Sequence, residues 1–123
     1  MNNSSKITKI NSTILKKTDS TWDGKKLIPI NIKDPQVTVV RIKIAKGERL
    51  PLHKHPILNV GYLLKGELTI HTDSNETLIL KANDSLVEVI DTWHYGENTG
   101  EEDVDLVVVY VGDQKDNITL LKE

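Results

Sequence analysis

The sequence predicts an all-β domain, because aliphatic and β-branched residues recur in short runs bounded by Gly, Pro, Asn and Asp, and no stretch repeats them at helical spacing. About eight short strands joined by tight turns favour a sandwich or a barrel over alternating strands and helices. Closure is the usual remedy for exposed strand edges. At 123 residues the chain fits one domain around one core. Residues 1–20 are expected to form a partly flexible arm, frayed over its first residues, and 21–123 the barrel domain.

The elements follow in order. STILKKT (12–18) reads as a first strand, and TWDGKKLIPI (21–30) as an ordered arm that packs Trp22. In VTVVRIKI (37–44), Thr38, Val40, Ile42 and Ile44 alternate with Val39, Arg41 and Lys43, the pattern of a strand with one wet face. KGERLPLHKHP (46–56) is punctuated by Gly47, Pro51 and Pro56 and is expected to be extended but irregular. NVGYLL (59–64) and ELTIHT (67–72), separated by Lys65 and Gly66, read as a hairpin. A turn at Asp73, Ser74 and Asn75 leads to the strand ETLILK (76–81), and Asn83 and Asp84 turn the chain into SLVEVI (85–90). The near-continuous apolar run in VDLVVVYVG (104–112) fits a strand buried on both faces, within the domain or against another subunit. Residues 113–123 are undecided between a short helix and a further strand.

Composition excludes several classes of function. Asp and Glu total 18 against 16 Lys and Arg, so no broad basic field exists to gather nucleic acid or an anionic membrane. Cysteine is absent, which removes disulfides, thiolate nucleophiles and Cys-based zinc sites and leaves N and O donors for any metal. The apolar runs are far shorter than a membrane-spanning helix requires, and the N-terminus lacks the apolar core of a secretory signal. A soluble, cytoplasmic protein is expected.

Of four histidines, His53 and His55 are separated by one residue in an extended segment, so both imidazoles point to one face and can share an ion. Asn59 has the same parity if the chain stays extended past Pro56, although a bulge there would break the alternation. His94 lies far along the chain, and only a closed or folded-over sheet is expected to bring it near. A His-x-His pair on a loop is more often a solvated accident than a ligand pair, so spacing alone does not make a site.

The run GERLPLHKHPILNVGYLLKG (47–66) resembles the first motif of the cupin superfamily, G-x5-H-x-H-x3-E-x6-G, with Gly47, His53, His55 and Gly66 in place and Asn59 standing where the family has Glu. Residues 83–98 resemble its second motif, G-x5-P-x-G-x2-H-x3-N, less closely. His94 and Asn98 are kept, while Asn83, Val89 and Asp91 replace Gly, Pro and Gly. The resemblance, to a small single-domain bacterial-type cupin, implies a double-stranded β-helix (jelly-roll) barrel. It also implies one divalent transition-metal ion, drawn from iron, manganese, nickel, zinc and copper, bound by His53, His55 and His94, with Asn59 either a fourth ligand or a bystander bonded to a neighbouring strand.

An amide is a weaker, neutral donor than a carboxylate, so such a centre is expected to hold its ion less tightly and leave it more electrophilic. The expected function is that of a metal-dependent enzyme, dioxygenase or isomerase in type, on a small polar substrate. The rivals are a non-catalytic module binding a small molecule or sugar, and a structural protomer of an assembly. Glu88 reads as a solvent-facing strand residue, ahead of a carboxylate that substitutes for the missing motif glutamate. His71 reads as a surface histidine, and Trp93, Tyr95 and Tyr62 as packing residues rather than pocket walls. A homodimer through LVVVYV (106–111) is expected.

Overall fold

The computed structural model describes residues 9–122; the frayed start expected of the arm falls largely outside them. The chain forms nine strands and no helix in that span: β1 (Pro35–Ile44), β2 (His53–Lys54), β3 (Leu58–Lys65), β4 (Glu67–Thr72), β5 (Thr77–Lys81), β6 (Ser85–Val87), β7 (His94–Asn98), β8 (Val104–Asp113) and β9 (Leu120–Leu121). They make two antiparallel sheets, ordered β1-β8-β3-β6 and β5-β4-β7-β2-β9. This is the jelly-roll barrel expected.

Alternation sets the core. Ile44, Leu63, Leu86, Leu106 and Val108 from the first sheet meet Leu68, Ile70 and Leu80 from the second. In β8 the even-numbered residues from Val104 to Tyr110 are buried, whereas Asp105, Val107, Val109 and Val111 are half-exposed. Within this chain β8 therefore has one buried face, not the two its apolar run suggested. In the C-terminal segment left undecided, the described residues hold a short strand, β9 (Leu120–Leu121), and no helix.

Two expected elements take another form. Residues 12–18 form no strand: Ile14 and Leu15 are exposed, and no ladder supplies the pairing their alternation invited. The expected β3–β4 hairpin is also absent, because β3 pairs with β8 and β6 while β4 pairs with β5 and β7. The chain turns a corner between sheets at Gly66, whose φ of 91° lies in the left-handed region. A Cβ there would stand 2.9 Å from the Asp103 carbonyl oxygen. Asn83 (φ 76°) and Asp91 (φ 52°), which occupy motif glycine positions, adopt the same left-handed backbone, which Asn and Asp tolerate best among non-glycine residues.

Gly66 and Gly47 share this backbone class, but a Cβ on Gly47 (φ 82°) meets nothing within 4 Å. Gly47→Ala should therefore cost only backbone strain, about 1 kcal/mol, whereas Gly66→Ala adds a main-chain clash and should cost about 3 kcal/mol. Urea denaturation of both variants checks this, and equal losses would count against it.

Candidate metal centre

His53 in β2 and His94, the first residue of β7, are direct cross-strand partners. It is the closed arrangement, with β2 and β7 adjacent in one sheet, that brings them together. Their side chains share the inner face, with ring centroids 4.4 Å apart. His55, just beyond β2, completes a triangle at 4.9 Å from His53 and 5.0 Å from His94. All three rings are buried, and one potential ligand atom from each lies within 4.8 Å of the others.

Main-chain carbonyls fix the tautomers. The Nδ1 atoms of His53 and His94 lie 2.7 Å and 2.8 Å from the Pro51 and Thr92 oxygens. His55 Nδ1 lies 3.0 Å from the Ile118 oxygen, with the Thr119 hydroxyl at 3.2 Å. A carbonyl oxygen only accepts, so each Nδ1 carries the proton and donates it. The lone pair of each neutral ring is therefore left on Nε2, the arrangement in which a metal-ligating imidazole is oriented by its other nitrogen.

Burial keeps the rings neutral. It holds His55 down at about 4 and lowers His53 and His94 from their ordinary 6.5, despite the carbonyls that favour the charged form. At neutral pH the lone pairs are thus available to a cation without prior loss of a proton. Three neutral imidazole nitrogens directed into one cavity fit a divalent transition ion.

The cavity holds about 240 Å³ between the two sheets. Besides the histidines its polar lining includes Asn59, Glu88, Tyr110 and Thr119, and the rest is mainly aliphatic, from Ile42, Leu50, Leu68 and Leu106 among others. Neither Lys nor Arg lines it among the described residues. Asn59 reaches the cavity from β3 in the opposite sheet, so strand parity with His55 is not what places it. It is 2% exposed, and its Nδ2 donates to the Ile57 carbonyl at 3.4 Å.

Glu88 is not solvent-facing. β6 ends at Val87, and the outer side of this segment is covered by the arm, where Trp22 N–H donates to the Val87 carbonyl at 2.9 Å. Val87, Glu88 and Val89 are consequently all buried. One Glu88 oxygen accepts from Trp22 Nε1 at 2.6 Å, and the other lies 3.7 Å from His94 Nε2. Burial pushes its carboxyl above the usual range. Tyr110, buried with its ring 5.3 Å from that of His55, is a second cavity residue the sequence left unremarked; its even-numbered place in β8 beside Leu106 and Val108 was the available signal.

The other candidates lie outside the cavity. His71 stacks on Tyr95 at 4.9 Å, and Arg49 lies over the same Tyr95 ring. Lys54 and Lys122 both lie over Trp93. Tyr62 donates its hydroxyl to Asn83 Oδ1. Asn98, matched by the second motif, ties a loop: its Nδ2 donates to the Ile44 and Glu102 carbonyls, and its Oδ1 accepts from Gly100 N–H.

Between pH 6.5 and about 4 the unfolded chain binds a proton at His55 that the native chain refuses. The metal-free protein should keep its full stability above pH 6.5 and lose on the order of 3 kcal/mol through this residue as pH falls across that window. Glu88, raised by burial, acts in the opposite sense, so the His55→Gln variant isolates the effect. Denaturation of chelator-treated wild type and variant at several pH values tests it, and parallel slopes would refute it.

A family model described as Cupin domain matches residues 40–110. Among solved structures, the DMSP lyase DddQ from Ruegeria pomeroyi DSS-3 is similar with a TM-score of 0.61 and 19% identity, over 70% of this chain and 43% of that one. An oxalate oxidase in complex with the substrate analogue glycolate gives 0.59 and 24%, over 69% and 45%. A cupin-like protein from Thermotoga maritima MSB8 gives 0.63 and 15%, over 70% and 64%. The chain thus spans less than half the length of the lyase and oxidase chains, and at these identities the likeness is one of fold. No curated protein sequence matches it.

Proposed function

The chain belongs to the cupin domain family, and on that premise we propose that it is a metal-dependent enzyme, dioxygenase or isomerase in type, acting on a small molecule. The observation that carries this reading is the triangle of imidazoles, each held through Nδ1 by a carbonyl, at the wall of a largely apolar cavity. His53, His55 and His94 would hold one divalent ion, with iron and manganese the favoured identities. Such an ion would supply Lewis acidity and one-electron redox chemistry.

The chain's own residues supply selection and exclusion. A cavity of about 240 Å³ lies below the range of drug-sized ligand sites, so the substrate is small. With no Lys or Arg on its wall, the cavity offers no fixed partner for a free anionic group. The polar end of the substrate is therefore expected to meet the histidine cluster, and its remainder to lie against Leu50, Leu68 and Leu106. Those side chains also keep bulk water from the reacting end.

Reconstitution with each candidate metal, made without oxygen and followed by an oxygen-uptake and product screen on diketones, thiols and catechols, should give turnover with iron or manganese. If none of the metals gave turnover on any compound of the panel, the enzymatic reading would fall and the non-catalytic binding module would remain.

The expected homodimer draws support from the outer face of the first sheet. Val37 and Val39 are 62% and 65% exposed, and the register sets them beside Val111 and Val109. A self-complementary valine face suits a two-fold interface. Sedimentation should show a dimer at micromolar concentration, and a sole species of 13.8 kDa would refute it.

A further inference from the structure

We infer that Glu88, rather than Asn59, supplies the oxygen ligand of this centre, so that the ion is held by three imidazole nitrogens and one carboxylate oxygen. The inference rests on the three-histidine reading and deepens it.

Register provides the first ground. β3 and β6 pair Val60 with Val87, and the Glu88 N–H bond to the Asn59 carbonyl, at 3.1 Å, carries the pairing one step further. Residues opposite one another in an antiparallel pair point to the same side, so positions 59 and 88 share the inner face. Both line the cavity. A carboxylate at either position serves the same space.

Geometry provides the second. Oε1 of Glu88 is held by Trp22 Nε1–H at 2.6 Å and by the Val89 N–H at 3.0 Å. The other oxygen, Oε2, is directed toward the histidines, 3.7 Å from His94 Nε2. That is too long for a hydrogen bond. Two donor atoms bonded to one ion at about 2.1 Å each lie no more than about 4.2 Å apart, so this separation leaves room for an ion shared between them. Asn59 donates its Nδ2 to the Ile57 carbonyl two residues earlier, at 3.4 Å, and its remaining Oδ1 is a neutral amide oxygen, a weaker donor than the Glu88 carboxylate.

Charge provides the third. Ionised and without a cation, Glu88 would be a buried anion with no Lys or Arg among the described residues of the cavity wall to pair it, and a bound metal ion offsets that cost. One carboxylate also lowers the net charge of a divalent centre from +2 to +1, which strengthens binding relative to an all-neutral ligand set.

Zn(II) and Mn(II) affinity and bound metal per chain would be measured on the wild type, Glu88→Gln, Asn59→Ala, His94→Ala and the exchange variant Asn59→Glu/Glu88→Gln. Glu88→Gln is expected to weaken binding by about tenfold or more, Asn59→Ala to leave it nearly unchanged, and the exchange variant to recover most of the loss. If Glu88→Gln binds as tightly as wild type while His94→Ala does not bind, the three-histidine centre stands and the role of Glu88 falls. If the wild type takes up no metal, both fall. Should Glu88→Gln not fold, infrared difference spectra of the wild type on Zn(II) addition decide. A carboxyl band replaced by that of a metal-bound carboxylate supports the inference, and stoichiometric zinc uptake with no carboxyl change overturns it.

Discussion

The Nδ1–H groups of His53, His55 and His94 each donate to a main-chain carbonyl, and the chemistry available to the barrel depends on those three bonds. An imidazole in an apolar cavity would otherwise be free to flip, to exchange tautomers or to seek a polar neighbour with Nε2. Because the acceptors belong to the backbone at Pro51, Ile118 and Thr92, ring orientation is set by the path of the chain rather than by another mobile side chain. Two of the acceptors lie two residues before the histidine they hold, so the extended segment entering each strand presets its own ring. His55 is held from the C-terminal segment, by the residues that lead into the last short strand.

Much of this was legible in the sequence, and the parts that were not have physical reasons. The spacing of His53 and His55 and the later His94 carried the cluster, because those positions are tied to strand order. Strand pairing was harder. Asn59 to Leu64, then Lys65-Gly66, then Glu67 to Thr72 has every local mark of a hairpin, yet the positive φ of Gly66 serves a corner between sheets. Local pattern reports that the chain turns, while the pairing depends on which distant strands, here β8 and β7, take the ladder positions. Residues 12–18 illustrate the same limit, since alternation without a partner makes no strand.

Glu88 was misplaced for a different reason. Its valine neighbours imply an outward side chain only while the strand continues and one face stays wet. β6 stops at Val87, and the arm covers the outer side, so an acidic residue between two valines is buried with both of them. The substitutions at the second motif's glycines were, in contrast, harmless to the backbone. Asn83 and Asp91 keep the left-handed conformation, so the turn geometry survives the loss of glycine.

The indole of Trp22 reaches Glu88 from sixty-six positions earlier in the chain. The family pattern begins at residue 40, so the group that holds this carboxylate lies outside the portion by which the barrel is recognised. Relatives sharing every barrel residue but differing in the preceding arm would present differently anchored carboxylates to the same three histidines. The arm is thus a place where the properties of such a centre can diversify without any edit to the strands that carry it, and a protein trimmed to its recognisable barrel would be a chemically different one.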